Sequence, residues 1–487
     1  MSFGEMCSPR RILEVGRNFW KFGLARRVTM LVDAAQYFAA LDQTLRRAQR
    51  SIYILGWDFD GRIRLCPHGN NDGTDVLGQL LRSIVEARPA LQVYILVWST
   101  AVVHGPGATA PLLFGAGWDD HPRIKVRLDT NHPLYACHHQ KVVVIDDAIA
   151  FVGGIDLTVR RWDSASHLAE CPLRKTPDGA TYGPVHDVQM AVDGDAARAL
   201  AELARERWRF ATGEIQAPSS IDGDPWPTDL HVDFNQTEVA IARNSPACGE
   251  QPCWSEGAKL TLDALWAARR SIYIEAQYLT SPEVADILAE KLAASDGPDI
   301  IALVARTSHG LMERLVMGSN RDRLIRRLKG SDRHNRLRVC YPVVPKADGS
   351  ECEVLIHSKV LIIDDEFLRV GSSNLNNRSA GVDTECDLAI EATDDAQRCA
   401  IARVRNALLG EHLGTSAEQV RHALATEGSL IGALDRLNRS PRGLRSFDAM
   451  TSAGPRNPVF GTSLFDPRRP FRTLWTRPWV RRGRRRL

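Results

Sequence analysis

Two stretches of this chain return further along at almost the same distance. "LRRAQRSIYILGWDFD" at 45–60 reappears as "LWAARRSIYIEAQYLT" at 265–280, an offset of 220 residues. "HHQKVVVIDDAIAFVGGID" at 138–156 reappears as "IHSKVLIIDDEFLRVGSSN" at 356–374, an offset of 218. One offset shared by separate segments requires a duplicated unit of about 200 residues, so the fold must be built from two similar halves. A length of 487 residues agrees, being too long for one ordinary domain.

Each copy runs in the same order. An amphipathic helix ("YFAALDQTLRRAQR" or "KLTLDALWAARR") precedes a strand ("SIYIL" or "SIYIE"), then a second helix and a second strand ("LQVYILVW" or "DIIALVAR"). A later strand leads into the H-x-K segment, and a strand and a helix close the copy. This alternation predicts an α/β fold of two pseudo-symmetric αβα sandwich domains with mixed sheets. The boundaries read as a lead-in over 1–30, a first domain over 31–216, a linker over 217–229 and a second domain over 230–415. A helical segment and an Arg-rich tail occupy 416–487. The linker is marked by the Pro- and Gly-rich "APSSIDGDPWPTD".

Composition narrows the class. With 44% hydrophobic and 25% charged residues the chain reads as globular. It has no run of 18 apolar residues to span a bilayer, and its charged start does not read as a signal peptide. Ten cysteines are scattered without a C-x-x-C pair. They read as reduced thiols of a cytoplasmic compartment rather than a disulfide frame or zinc site. From Arg456 onward there are ten arginines and one acid, a local +9 that leaves −6 for the rest of a chain of net charge +3.

The repeated H-x-K segment carries the chemistry. Val142 to Ile145 is β-branched, which favours a strand. Side chains alternate faces, so His139 and Lys141 point the same way. Asp146 has the opposite parity, at the turn, where a structural bond to backbone amides or a nearby cation is the expected role. A two-residue turn at 147 and 148 would place Asp156 opposite His139 and Gly154 opposite Lys141. In the second copy it would place Asn374 opposite His357 and Ser372 opposite Lys359. Small residues on the return strand would leave room and free amides for a ligand.

The double motif resembles that of the phospholipase D superfamily, H-x-K-x4-D-x6-G-[GS]-x-N. It is matched by His139, Lys141, Asp146, Gly153 and Gly154, and again by His357, Lys359, Asp364, Gly371, Ser372 and Asn374. The resemblance covers roughly residues 30–412. The segments "GGIDL", "RWD", "HDVQMAVDG" and "SNLNNRSAGVDTECDLAIE" are similar to its lipid-acting branch. Asp156 stands where the general pattern has Asn, a change also found in "GGIDL"-type lipases.

The resemblance implies an active site at the interface of the two domains, acting on phosphodiesters. No carboxylate cluster with metal spacing accompanies the histidines, so chemistry without a cofactor or metal is expected. The resemblance also implies His139 as nucleophile and His357 as general acid/base, though pseudo-symmetry also permits the reverse. Lys141 and Lys359 would neutralise the phosphate oxygens. Glu385 has the position of the family's His-orienting carboxylate, and repeat alignment makes Asp187 its counterpart. The competing reading of each is a solvated acid at a strand edge. Ser372 and Asn374 are expected on the phosphate or the lysine, and Asp156 on a lysine or a turn. Trp57, Asp58, Gln277 and Tyr278 follow equivalent first strands, where α/β sheets border their sites, with core packing the alternative for Trp57.

Neighbouring His138 and His139 face opposite ways on a strand and do not chelate one ion. The implied substrate is a glycerophospholipid, with hydrolysis ahead of a cardiolipin synthase-type transfer and a nuclease third. The tail "FDPRRPFRTLWTRPWVRRGRRRL" fits peripheral contact with an anionic membrane surface, at the inner face for a cytoplasmic protein. The same composition would also suit nucleic acid or a solvated end. A monomer is expected.

Overall fold

In this computed structural model, which describes residues 11–67, 76–98, 117–307, 311–455, 457, 458 and 460–470, the alternation of the sequence becomes a repeated set of elements. The first repeat contains helix Asp33–Leu45, strand Ser51–Gly56, helix Leu77–Ala87 and strands Gln92–Trp98 and Ile124–Asp129. A hairpin (Val142–Ile145, Ile149–Gly153), strand Val188–Asp193 and helix Gly194–Thr212 complete it. The second repeats the order: Glu256–Ala267, Ser271–Ala276, Pro282–Ala293, Asp299–Val304, Leu337–Pro345, the hairpin Lys359–Ile363 and Phe367–Gly371, Glu385–Glu391 and Asp395–Leu413. Helix Leu311–Ser331, preceding Leu337–Pro345, is additional to the order described for the first repeat.

In each half three parallel strands meet the antiparallel hairpin, which makes the sheet mixed. Lys21–Val32 and Phe234–Ser245 join the halves. They pair with each other, and outwardly with Val188–Asp193 and Glu385–Glu391. The segment read as a lead-in thus ends in a strand at the centre of the molecule.

Period-two alternation decides which residues fill which layer. Val142 and Val144 enter a central cluster shared with Val360 and Ile362 of the other repeat and lined by the two long closing helices. Val143 and Ile145 face the other way, onto Tyr37 and Phe38. The second repeat has its own outer cluster around Ile272, Leu288 and Leu361.

The segment 217–229, read from the sequence as a linker, has no regular structure but is anchored on the first repeat. Trp226 is buried in that repeat's outer cluster, and Arg47 donates to its carbonyl at 2.8 Å. Past 415, helix Ala417–Glu427 begins with a capping box at Ser416, and strand Gly443–Ser446 pairs with Leu337–Pro345. Asp466 accepts from Thr280 Oγ1 (2.9 Å) and the Arg378 amide (3.0 Å), docking the start of the tail. Phe471, Trp475, Trp479 and the tail arginines from Arg472 on lie outside the described residues.

The hairpin register differs from the expected one by a residue. Ile145 pairs with Ile149 and Val142 with Val152, so three residues form the loop; Ile363 and Phe367 repeat the pattern. The cause lies in the paired aspartates. Asp146 and Asp147 adopt φ of 56° and 54°, and Asp364 and Asp365 adopt 56° and 61°, left-handed values that Asp tolerates better than most residues. The Asp146 carboxylate then accepts from the amides of Gln49 (2.7 Å), Arg50 (2.6 Å) and Ser51 (2.9 Å). Asp364 does the same with Arg269, Arg270 and Ser271, each at 2.7 Å. These acids tie the hairpins to the start of the neighbouring strands. Asp146→Ala strands three amides, and we expect a loss of about 3 kcal/mol, read from the urea midpoint.

Candidate active site

The two hairpins approach each other because each is hydrogen-bonded at its start to the opposite repeat. The His139 amide donates to the Thr384 carbonyl (3.0 Å) and the His357 amide to the His186 carbonyl (2.8 Å). The residues that follow those accepting carbonyls are Glu385 and Asp187. Their carboxylates consequently fall on the imidazoles of the other repeat. His139 Nδ1 lies 2.9 Å from Glu385 Oε2, and His357 Nδ1 lies 2.6 Å from Asp187 Oδ2. Both acids are buried, so neither is a solvated strand-edge group. With each Nδ1 engaged, Nε2 is the nitrogen left for chemistry in both rings.

The lysines share the faces of their histidines. Lys141 Nζ donates to the His139 carbonyl (2.9 Å) and pairs with Asp156 (3.0 Å), while Lys359 bonds the His357 carbonyl and Gln277 Oε1 (3.3 Å). Asp156 also accepts from the Trp57 amide at 2.8 Å, holding the end of the first strand against the lysine. Trp57 stacks on Trp98 with centroids 5.7 Å apart and is partly exposed. Asp58 accepts from Thr158 Oγ1 (2.8 Å), and Gln277 Nε2 donates to Tyr278 (3.1 Å). His138 points to the opposite face, 3.3 Å from buried Asp129.

Two expectations change. Gly154 does not leave space for a ligand. The Asp187 carboxylate occupies that space, where any side chain at 154 would collide with it. Its amide is engaged by the Val188 carbonyl at 3.0 Å. Ser372 bonds neither lysine nor an open phosphate position. It is fully buried, donates to Glu385 and accepts from the Cys386 amide (3.0 Å), so it steadies the carboxylate behind His139. Asn374 is buried with its Oδ1 unpartnered.

Arg161 was not foreseen as a site residue, although the "RWD" string contains it. Its charge acts on Asp156, Asp187, His357 and Lys359, and its buried Nε has no hydrogen-bond partner. A guanidinium placed so is suited to an anionic oxygen. Arg161→Ala should raise KM for a phosphodiester by about tenfold or more, from the ~1.5–3 kcal/mol of a charged hydrogen bond.

Burial dominates the electrostatics. With the lysine charges it holds His139 well below its ordinary 6.5, and with Lys359 and Arg161 it does the same to His357. Both imidazoles are therefore neutral at neutral pH before an anion arrives. Burial also raises Asp187 to about 6 and Glu385 to about 8, and lowers Lys359 to about 8. The two histidines thus face carboxyls of unequal acidity.

Two family models match. One described as phospholipase D covers residues 44–256, and one described as cardiolipin synthase, PLD-like domain, covers 261–401. The chain is 22% identical to phospholipase D A of Dictyostelium discoideum over 85% of its own length and 36% of that protein. It is 25% identical to a cardiolipin synthase of Halalkalibacterium halodurans over 75% of its own length and 62% of that protein. It therefore spans only part of these relatives. The crystal structure of phosphatidylserine synthase from Haemophilus influenzae matches 80% of this chain and 88% of its own, with a TM-score of 0.52 and 13% identity, a likeness of fold.

Proposed function

The chain belongs to the phospholipase D superfamily, and from that premise we propose that it cleaves glycerophospholipids at the headgroup phosphodiester through a phosphohistidine. The observation that carries this reading is the crossed pair of His–carboxylate contacts, with a lysine beside each histidine. The two repeats, taken as 31–216 and 230–415, each supply one imidazole and the carboxylate that orients the other.

His139 Nε2 attacks phosphorus, the P–O bond to the headgroup breaks, and His357 Nε2–H protonates the departing alcohol. Lys141, Lys359 and Arg161 take up the charge on the non-bridging oxygens. A bound phosphate offsets the positive charges that depress His357, and ionised Asp187 then holds its imidazolium. Water enters next. His357 removes its proton, oxygen bonds to phosphorus, and the N–P bond breaks to give phosphatidic acid. A second alcohol in place of water gives transphosphatidylation with the same balance. Asp187 loses its proton more readily than Glu385, which supports His357 as the acid and His139 as the nucleophile.

We place the tail on an anionic membrane surface, each arginine contributing about 1 kcal/mol near it. No helix among the described residues is long and apolar enough to cross a membrane. Removing 471–487 should weaken co-sedimentation with phosphatidylglycerol vesicles at least ~10-fold, and salt should reproduce the effect in the full chain.

Incubation with phosphatidylcholine, phosphatidylglycerol and single-stranded DNA tests the reading. Choline or glycerol released with phosphatidic acid marks the hydrolase, and cardiolipin from phosphatidylglycerol marks the transferase. DNA cleavage with both lipids intact would overturn the lipid assignment.

A further inference from the structure

Beside Asp187, four polar side chains meet in the interior. Asp33, His167 and His186 come from the first repeat and Glu411 from the closing helix of the second. One ligand-capable atom from each lies within 4.8 Å of all the others. His186 Nδ1 is 2.9 Å from Glu411 Oε1 and 3.3 Å from Asp33 Oδ1. His167 Nε2 is 3.1 Å from Glu411 Oε1 and 3.5 Å from Asp33 Oδ2. Around an ion bound at ~2.0–2.1 Å, the edges of a tetrahedron are about 3.3 Å long, in the middle of that range.

A second observation points to a ligand. Asp33 is 1% exposed, yet neither of its carboxylate oxygens makes a well-formed hydrogen bond, the imidazoles standing off at 3.3 and 3.5 Å. A buried carboxylate left so is costly unless something takes its charge. The outward nitrogens of both imidazoles are also held as metal-binding histidines require. His167 Nδ1 is 2.9 Å from Asp163, itself fixed by Arg174, and His186 Nε2 is 2.9 Å from Glu275. Glu275 is fixed in turn by Tyr273 (2.6 Å) and His412 (3.1 Å). Charge agrees with a divalent ion. Asp33, Glu411, Asp163 and Glu275 all face the two imidazoles, so a divalent ion would take the place of the two imidazolium protons these acids hold, with the same charge.

We propose that Asp33, His167, His186 and Glu411 form a structural site for a divalent transition ion such as Zn²⁺, binding the two repeats together behind the catalytic centre. The ligand set is imidazole and carboxylate without thiolate, which suits Zn²⁺ among first-row metals. Its place gives it a consequence. The His186 carbonyl supports the His357 amide, and the Asp33 amide donates to the Asp187 carbonyl at 2.8 Å. An ion here fixes the segment that positions His357, without touching substrate. At the equivalent place beside Glu385 an Arg378–Asp383 ion pair supplies the positive charge instead, so the site belongs to one side of the pseudo-dyad.

The test uses the full chain and no turnover assay, so it stands apart from the lipid reading. Protein produced with zinc supplied is dialysed, and metal per chain is measured by mass spectrometry. After chelation, Co²⁺ and then Zn²⁺ are added back while visible absorption and melting temperature are followed. Expected are about one Zn²⁺ per chain, the absorption band of tetrahedral Co²⁺, and a higher melting temperature on Zn²⁺ addition. Glu411→Gln, nearly isosteric, should keep the fold by circular dichroism and bind Zn²⁺ at least ~10-fold more weakly. Wild-type protein that retains no metal and shows no tetrahedral Co²⁺ band, or a folded Glu411→Gln variant that binds as tightly as wild type, would overturn the site.

Discussion

His357→Ala should lower turnover of a phosphodiester with an alkyl-alcohol headgroup by about 10³–10⁴-fold, yet spare most of the first step on a p-nitrophenyl phosphodiester. An alkoxide leaves poorly and needs a proton, whereas p-nitrophenolate departs without one. The variant keeps His139 Nε2 free, because Glu385 still engages His139 Nδ1. It lacks the base that activates water in the second step. A burst of p-nitrophenol followed by slow release is therefore expected, with the phosphoryl group trapped on His139 and visible as a mass increase or a phosphoramidate ³¹P resonance. His139→Ala should abolish the burst with both substrates, since no leaving group compensates for a missing nucleophile. A burst in His139→Ala and none in His357→Ala would exchange the two roles. Absence of any adduct in either variant would remove the covalent route.

The duplication, the mixed α/β order and the residues of the two motifs were legible in the sequence because each rests on local pattern. Strand periodicity survives in "KVVVIDD" and "KVLIIDD" whatever surrounds them. The turn register is not legible locally, because it depends on Asp146 and Asp364 reaching amides about 95 residues away. Ser372 and Gly154 were placed beside a ligand because spacing gives the order of residues but not what fills the space next to them. The crossing of the carboxylates was hidden for a similar reason. It follows from backbone bridges between repeats, His139 to Thr384 and His357 to His186, whose partners are 245 and 171 positions apart. Asp33, His167, His186 and Glu411 lack any spacing that suggests a ligand set, and only the packed interior brings them together.

That crossing makes the sharpest claim about the carboxylates. Asp187→Asn should reproduce the leaving-group pattern of His357→Ala, lowering turnover by about 10³–10⁴-fold. Glu385→Gln should show that of His139→Ala, with a smaller loss at neutral pH, where a carboxyl raised to about 8 is largely uncharged already. In a His–carboxylate pair, replacing the acid by its amide permits the wrong tautomer and withdraws the charge that supports imidazolium, at a cost of about 10⁴. The effects should separate by pH as well. Burial raises Asp187 from 3.8 to about 6, so its ionised form is lost as pH falls through 6. The wild-type kcat/KM for an alkyl-headgroup lipid should then gain a further drop of about tenfold per pH unit below that point, beyond the fall from about 8 downward as Glu385 is protonated. Asp187→Asn should be low throughout and lack this limb, since it has no proton to gain there. Pairing within each repeat instead would make Asp187→Asn resemble His139→Ala and leave the p-nitrophenyl burst absent. The burst assay on these two variants separates crossed from uncrossed halves, because each carboxylate reaches an imidazole in the other repeat.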